Sequence, residues 1–212
     1  MNAFDNDLRI RHITMAALGN IQKYTDDYEL ILMDSGEQKE IIDKYQCVKL
    51  TKHLKLEKHI GYSASMNLGA KESNPEYPYI CFIHNDVFVW EGWLPKLLSL
   101  LEQNYTDVVL PSQGHITRQE VLDSYSGVRQ RLDNDAGLMV MTKKIFEKSG
   151  GWDERFGAIY HDYVYRQKCR DTGIRILDTS SVIITHIGWA TLGQNPEQFD
   201  KLRESEGQLI GK

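Results

Sequence analysis

Three cysteines in 212 residues, Cys47, Cys81 and Cys169, are too few for a disulfide framework and match no metal-type spacing. Cys81 lies inside an apolar stretch, where it serves as a small core residue. The odd number suits a reducing compartment. An excess of one charge is also missing: 30 acids against 25 bases give a net charge of −5, with no block of like charge. That excludes a protein held to nucleic acid by its overall field, although it leaves room for a basic rim around a pocket. No stretch nears the roughly 20 apolar residues of a membrane span. Met1-Asn2-Ala3-Phe4-Asp5 lacks the basic start and apolar run of a secretory leader. Internal repeats and low-complexity tracts are absent too. These absences leave a soluble cytoplasmic chain of about one domain, long enough to bury a core without crosslinks.

What is present begins with an apolar strand that runs straight into polar chemistry. Tyr79-Ile80-Cys81-Phe82-Ile83 belongs in a sheet interior, and His84-Asn85-Asp86 follows with no turn residues between. Open α/β sheets bind ligands at the carboxyl ends of their strands, so this strand delivers a His and an Asp to a functional edge. His84 and Asp86, two residues apart, share a face. A second acid stands in Tyr160-His161-Asp162, and the strand Val182–Thr185 ends in His186. Read blandly, His84 and Asp86 cap a strand, His186 is a core histidine and Asp162 is an acid favoured at a helix start.

The rest of the pattern alternates. Ile10, Ile13, Ala17, Ile21 and Tyr24 recur at helical spacing and predict a helix from about 7 to 24. Glu29–Met33 reads as a buried strand turning at Asp34-Ser35-Gly36. A helix over Lys39–Tyr45 and a strand over Cys47–Leu50 follow. Gly61–Lys71 is a helix rich in small residues, and Tyr79–Ile83 a strand. A helix starts near Trp93, with Pro95 tolerated in its first turn, and Val108–Leu110 is a strand. Residues 111–135 carry few signals. Leu138–Met141 is a strand, Lys143–Ser149 a helix, Ile159–Thr172 a helix closed by Gly173, and Ile174–Leu177 and Val182–Thr185 are strands. Such alternation predicts an α/β fold with a mostly parallel sheet covered on both faces. Residues 1–190 form one catalytic domain, and 191–212 a C-terminal helix or flap.

Four stretches in order resemble the GT-A fold, inverting glycosyltransferases of family 2. Phe82-Ile83-His84-Asn85-Asp86 with Gly92-Trp93-Leu94 is similar to the family's strand, acidic triplet and Gly-Trp-Leu. Gly150-Gly151-Trp152-Asp153-Glu154, then Asp162, Gly173 and His186, resemble its later signature. Asp34-Ser35-Gly36 and the Asn67-bearing helix match two earlier ones. The likeness covers roughly residues 2–190.

The resemblance implies a Rossmann-like sheet and transfer of a hexose from a nucleotide-diphosphate sugar, a UDP-hexose, to a hydroxyl acceptor on a glycan, lipid or small molecule. It implies Asp162 as general base, and Mn²⁺ or Mg²⁺ held by Asp86 and His186, with His84 as a second ligand or a hydrogen bond to ribose or phosphate. Asp34 would accept from uracil N3–H. Asn67, Lys71 and Asn85 would line the nucleotide side, and Trp152, Asp153 and Glu154 the sugars. Arg129 and Arg131 would reach the diphosphate. Taken singly, Asp34 reads better as a turn residue, Lys71 equally as a solvated one and Trp152 as a core one. Three departures stand out: the chain apparently lacks the usual first strand, His84 replaces the triplet's first acid, and Val164 stands where a second acid often follows the base. A nucleotide-sugar hydrolase or nucleotidyltransferase, and a non-catalytic nucleotide-sugar-binding remnant, are the competing readings.

Overall fold

The computed structural model describes residues 2–3, 8–35, 50–115, 129–130, 136–188 and 196–210. In chain order these form β1 (Asn2–Ala3), α1 (Leu8–Tyr24), β2 (Ile31–Asp34), β3 (Lys52–Lys55), α2 (Tyr62–Lys71), β4 (Tyr79–Ile83), β5 (Val87–Phe88) and α3 (Trp93–Glu102). There follow β6 (Val108–His115), β7 (Arg129–Gln130), β8 (Leu138–Thr142), α4 (Lys143–Ser149), α5 (His161–Asp171), β9 (Ile176–His186) and α6 (Pro196–Gly207). The helix expected at Lys39–Tyr45, most of the strand at Cys47–Leu50, and Arg131 lie outside the described residues, as does the side chain of Arg129. No helix among the described residues is long and apolar enough to cross a membrane.

Period-2 alternation builds the core. In β8, Leu138 and Val140 point to one side with Val109, Ile83 and Ile184, where α1 lays Ala17, Leu18 and Ile21 and α3 lays Trp93 and Leu97. Met139 and Met141 point to the other side with Phe82, Val108 and Leu110, under Met66 of α2 and Tyr165 and Cys169 of α5. The sheet is therefore a middle layer, buried on both faces. Thr142 caps α4 by accepting from the Ile145 amide at 3.2 Å.

Two sheets carry the fold: a parallel one ordered β1-β2-β3, and a six-stranded one ordered β4-β8-β6-β9-β5, with β7 on β6. The expectation of a mostly parallel sheet is corrected to a mixed one. β1–β2, β2–β3 and β6–β9 are parallel, whereas β4–β8, β6–β8, β6–β7 and β5–β9 are antiparallel. Only parallel neighbours need a long crossover, and the parallel pair β6 and β9 has one, a connection that runs through β8, α4 and α5. β8 enters between β4 and β6 from the opposite end, which strand–helix alternation does not reveal. The two strands expected at 174–177 and 182–185 are one, β9, whose register against β6 slips between Pro111 and Ser112. A proline without an amide hydrogen fits that irregularity.

At the start of the described chain, Asn2 and Ala3 form a two-residue strand paired with Met33 and Asp34. So short a strand does not join the two sheets. Between β2 and β4 lies an apolar cleft with about 1140 Å³ of empty space open to solvent, bounded by Ile31, Met33, Gly69, Ile80, Phe82 and Leu98.

Candidate functional site

Strand pairing brings the distant polar residues together. The last residue of β9, His186, pairs with Val87 of β5, so it stands one residue from Asp86. Asp86 Oδ1 lies 3.1 Å from His186 Nε2, and the two are 5% and 2% exposed. On its other side His186 Nδ1 lies 2.8 Å from Gln113 Oε1 of β6. With that oxygen accepting, Nδ1 carries the proton and Nε2 turns its lone pair toward the carboxylate. The close approach is satisfied either by a proton on Nε2, which makes an ion pair, or by a cation beside the two atoms. His84 completes the group: one ligand atom from each of His84, Asp86 and His186 lies within 4.8 Å of the others. One carboxylate oxygen and two imidazole nitrogens make a donor set for a divalent metal cation.

Asp162 is linked to the backbone beside this group through Ala136 and Gly137. Its Oδ2 accepts from the Ala136 amide at 2.9 Å, and its Oδ1 from the Tyr163 amide at 3.2 Å. The Gly137 carbonyl next door accepts from the His84 amide at 2.9 Å. Gly137 also backs the metal-type group so closely that a Cβ there would meet His186 Nδ1 and Gln113 Oε1 at 2.9 Å each. Asp162 is 7% exposed, and two amide bonds leave lone pairs on both carboxylate oxygens.

His161 was not singled out by the sequence. Its ring lies 4.2 Å from that of Tyr62 and 5.7 Å from that of His84, centroid to centroid. Both its nitrogens are buried without a hydrogen bond among the described residues; Nε2 is 3.9 Å from Asp162 Oδ1. It fills the space between the base candidate and the His84 group. The only signal in the sequence was its place beside Asp162.

The remaining expected residues take other places. Asp34, at the end of β2, is buried with Oδ2 2.9 Å from His53 Nε2, a partner on β3 the sequence did not suggest. Asn67 clamps the turn after α4. It accepts from the Trp152 amide at 2.9 Å and donates to the Trp152 carbonyl and Glu154 Oε1 at 3.0 and 2.9 Å, so both amide hydrogens are engaged. A Cβ on Gly151 (φ +70°) would lie 2.9 Å from Asn67 Oδ1, which is why the clamp needs glycine there. Lys71 is exposed at the end of α2. Asn85 donates to Thr14 Oγ1 of α1 at 2.9 Å, which fixes the triplet's middle residue to that helix.

Trp152, expected against a sugar, lies in the core at 3% exposure, with its ring 4.4 Å from Tyr165 and 5.4 Å from Phe82. The apolar surface of a large aromatic is worth more there than at a solvent edge. Asp153 pairs with Arg155 at 2.7 Å, and the guanidinium holds its carboxyl below the usual range. Glu154 is exposed. Burial pushes the thiols of Cys81 and Cys169 up to about 12 and about 11, so neither is a nucleophile at neutral pH.

Comparison with known proteins bears on the family and the fold. The sequence model described as glycosyl transferase family 2 matches residues 12–160. In fold, the chain is similar to S. aureus TarS, at TM-score 0.63 and 14% identity over 99% of this chain and 39% of that one. It is similar to GalNAc-T7 solved with UDP, GalNAc and Mn²⁺, at 0.68 and 15% over 96% and 46%. It is also similar to S. aureus TarS 1–349 in complex with UDP-GlcNAc, at 0.65 and 15% over 99% and 65%. The chain thus spans between 39% and 65% of those structures. No curated protein matches it.

Proposed function

Since the chain belongs to glycosyl transferase family 2, we propose that it transfers a hexose from a UDP-sugar to a hydroxyl acceptor, with inversion and with help from a divalent cation, in the cytoplasm. The observation that supports this reading is the backbone link between them: Asp162 accepts from the Ala136 amide, and the neighbouring Gly137 carbonyl accepts from the amide of His84, a member of the group with Asp86 and His186. Neighbours of the same fold have been solved with UDP-GlcNAc and with UDP and Mn²⁺, which supports the donor class and the metal.

Asp162 takes the proton from the acceptor hydroxyl as that oxygen attacks the anomeric carbon. The new carbon–oxygen bond forms on the face opposite the breaking bond to the diphosphate, whose electron pair leaves with UDP. A single displacement therefore inverts the anomeric centre. A cation held by His84, Asp86 and His186, Mn²⁺ in preference to Mg²⁺ given two imidazoles, would supply charge neutralisation to the leaving diphosphate. Asp34, which shares a hydrogen bond with His53, would accept from uracil N3–H. Asp153 and Glu154 flank the acceptor side.

The test is a transfer assay with UDP-hexoses and an acceptor panel, reading the product's anomeric configuration by NMR. The inverted product is expected, and Asp162→Asn should lower kcat by about 10²–10⁴-fold. A retained configuration, or an unimpaired Asp162→Asn enzyme, would refute the assignment.

A further inference from the structure

Helix α6 is polar along most of its length. Phe199 and Leu202 are half-buried, and its one buried side chain among those described is a carboxylate, Glu206, at 6% exposure. A carboxylate taken out of water is costly unless hydrogen bonds replace its hydration. Here four consecutive backbone amides do so. Oε1 accepts from Gly157 and Ala158 at 2.9 and 2.8 Å, and Oε2 from Ile159 and Tyr160 at 3.0 and 3.1 Å. Successive amides converging on one anion make a concavity for negative charge, and this chain fills it with its own side chain.

The gripped loop leads into α5. Its last residue, Tyr160, accepts from the Val164 amide at 2.9 Å, and His161 and Asp162 follow at once. On the opposite side the loop is fastened to the start of α2. Tyr62 donates its amide to the Gly157 carbonyl at 2.7 Å, and Ser63 donates its hydroxyl to the Phe156 carbonyl. Gly61 (φ +82°) and Gly157 touch so closely that a Cβ on Gly61 would meet Gly157 Cα at 3.0 Å. The loop is thus caught between a rigid helix start and a carboxylate from near the end of the chain. An apolar contact would dock α6 without fixing the loop's backbone. Four directional bonds to the residues just ahead of Asp162 fix it.

We propose that Glu206 is a positioning residue for the general base: α6 acts as a latch that sets the backbone from which Asp162 projects. This rests on the reading of Asp162 as base. Misplacing a base by about 1 Å costs on the order of 10²-fold in rate without any loss of ligand contacts. The latch therefore acts on kcat and leaves donor binding alone.

The test uses the full chain carrying Glu206→Gln, which keeps one accepting oxygen but turns an amide group toward two donors. Glu204→Gln, at an exposed position of the same helix, serves as control. Hydrogen exchange of amides 157–160, Mn²⁺-dependent UDP binding and steady-state transfer are measured on each. For Glu206→Gln, exchange at 157–160 should quicken at least about tenfold and kcat should fall by about 10–10²-fold, with UDP affinity and donor KM within about twofold. Glu206→Asp, which keeps the charge, should recover part of the lost kcat, and Glu204→Gln should match the wild type. Unchanged exchange, unchanged kcat, or a fall in UDP affinity parallel to that in kcat would overturn the proposal. A wild-type chain that transferred no sugar would instead refute the transferase reading, and the latch would then stand or fall on the exchange result.

Discussion

A single methyl group at Gly137 tests how tightly the metal-type group is built. Gly137 has no positive φ, so alanine there meets no backbone strain and the effect is steric. The added Cβ would lie 2.9 Å from His186 Nδ1 and Gln113 Oε1 and 3.1 Å from His186 Cε1. Gln113 Oε1 ends a flexible side chain, but that side chain is buried at 7% exposure and is bonded to His186. His186 is 2% exposed and held between Asp86 at 3.1 Å and Gln113 at 2.8 Å, so it yields only by breaking one of those contacts. Overpacking of this kind costs about 1–3 kcal/mol, and losing the Gln113 bond about 0.5–1.5 kcal/mol more. The Gln113 contact fixes the tautomer and ring orientation, and such outer partners are worth about 10–100-fold in metal affinity. Gly137→Ala should therefore weaken Mn²⁺ binding by about that factor, read by calorimetric titration. It should also lower Tm while keeping the far-ultraviolet circular dichroism of the native fold. Mn²⁺ affinity within twofold of wild type would show that His186 does not ligate, and the reasoning would fail.

Three further outcomes follow from the packing. Gly69→Ala should raise stability by about 0.5–1 kcal/mol, since α2 gains a better helix former and the new Cβ meets Met33 only at 3.4–3.5 Å; a chemical denaturation curve reads it. Arg11 is buried with Nη1 unpartnered among the described residues, so Arg11→Met should stabilise the chain by about 1–3 kcal/mol in the same assay. Arg175 bonded to Asp107 holds that carboxyl below its usual range, so the pair's stabilisation is present above the ordinary carboxylate pKa and lost as pH falls through the depressed one. Asp107→Asn should accordingly lower Tm at pH 7 and match the wild type at pH 2, and an equal deficit at both pH values would contradict the assignment.

Much of the scaffold was legible because its signals are local. The apolar run Tyr79–Ile83, the periodicity of 8–24 and the glycine closing α5 each need only neighbouring residues to be read. The meeting of Asp86 with His186 was readable because Asp86 follows the apolar run of β4 and His186 ends that of β9. What escaped depends on partners far along the chain. β3, Lys-His-Leu-Lys, has no apolar pattern and exists because β2 pairs with it. Val87–Phe88 is a strand only because β9 lies alongside. Trp152 and Asn67 have the chemistry of sugar and nucleotide contacts, yet one packs under Tyr165 and the other clamps a turn. Nothing local sets Glu206 apart from a solvated helix acid; its four amide partners lie 46 to 49 residues earlier in the chain.

The central claim is that strand ends far apart in sequence build one cation-dependent diphosphate site. Calorimetric titration of UDP into the wild-type chain and into Asp86→Ala, each with and without Mn²⁺, tests it most directly. Wild-type binding should strengthen at least about tenfold with Mn²⁺, and Asp86→Ala should lose that gain while keeping its metal-free affinity. Equal UDP affinity with and without Mn²⁺ in the wild type, or a Mn²⁺ gain that survives Asp86→Ala, would contradict it.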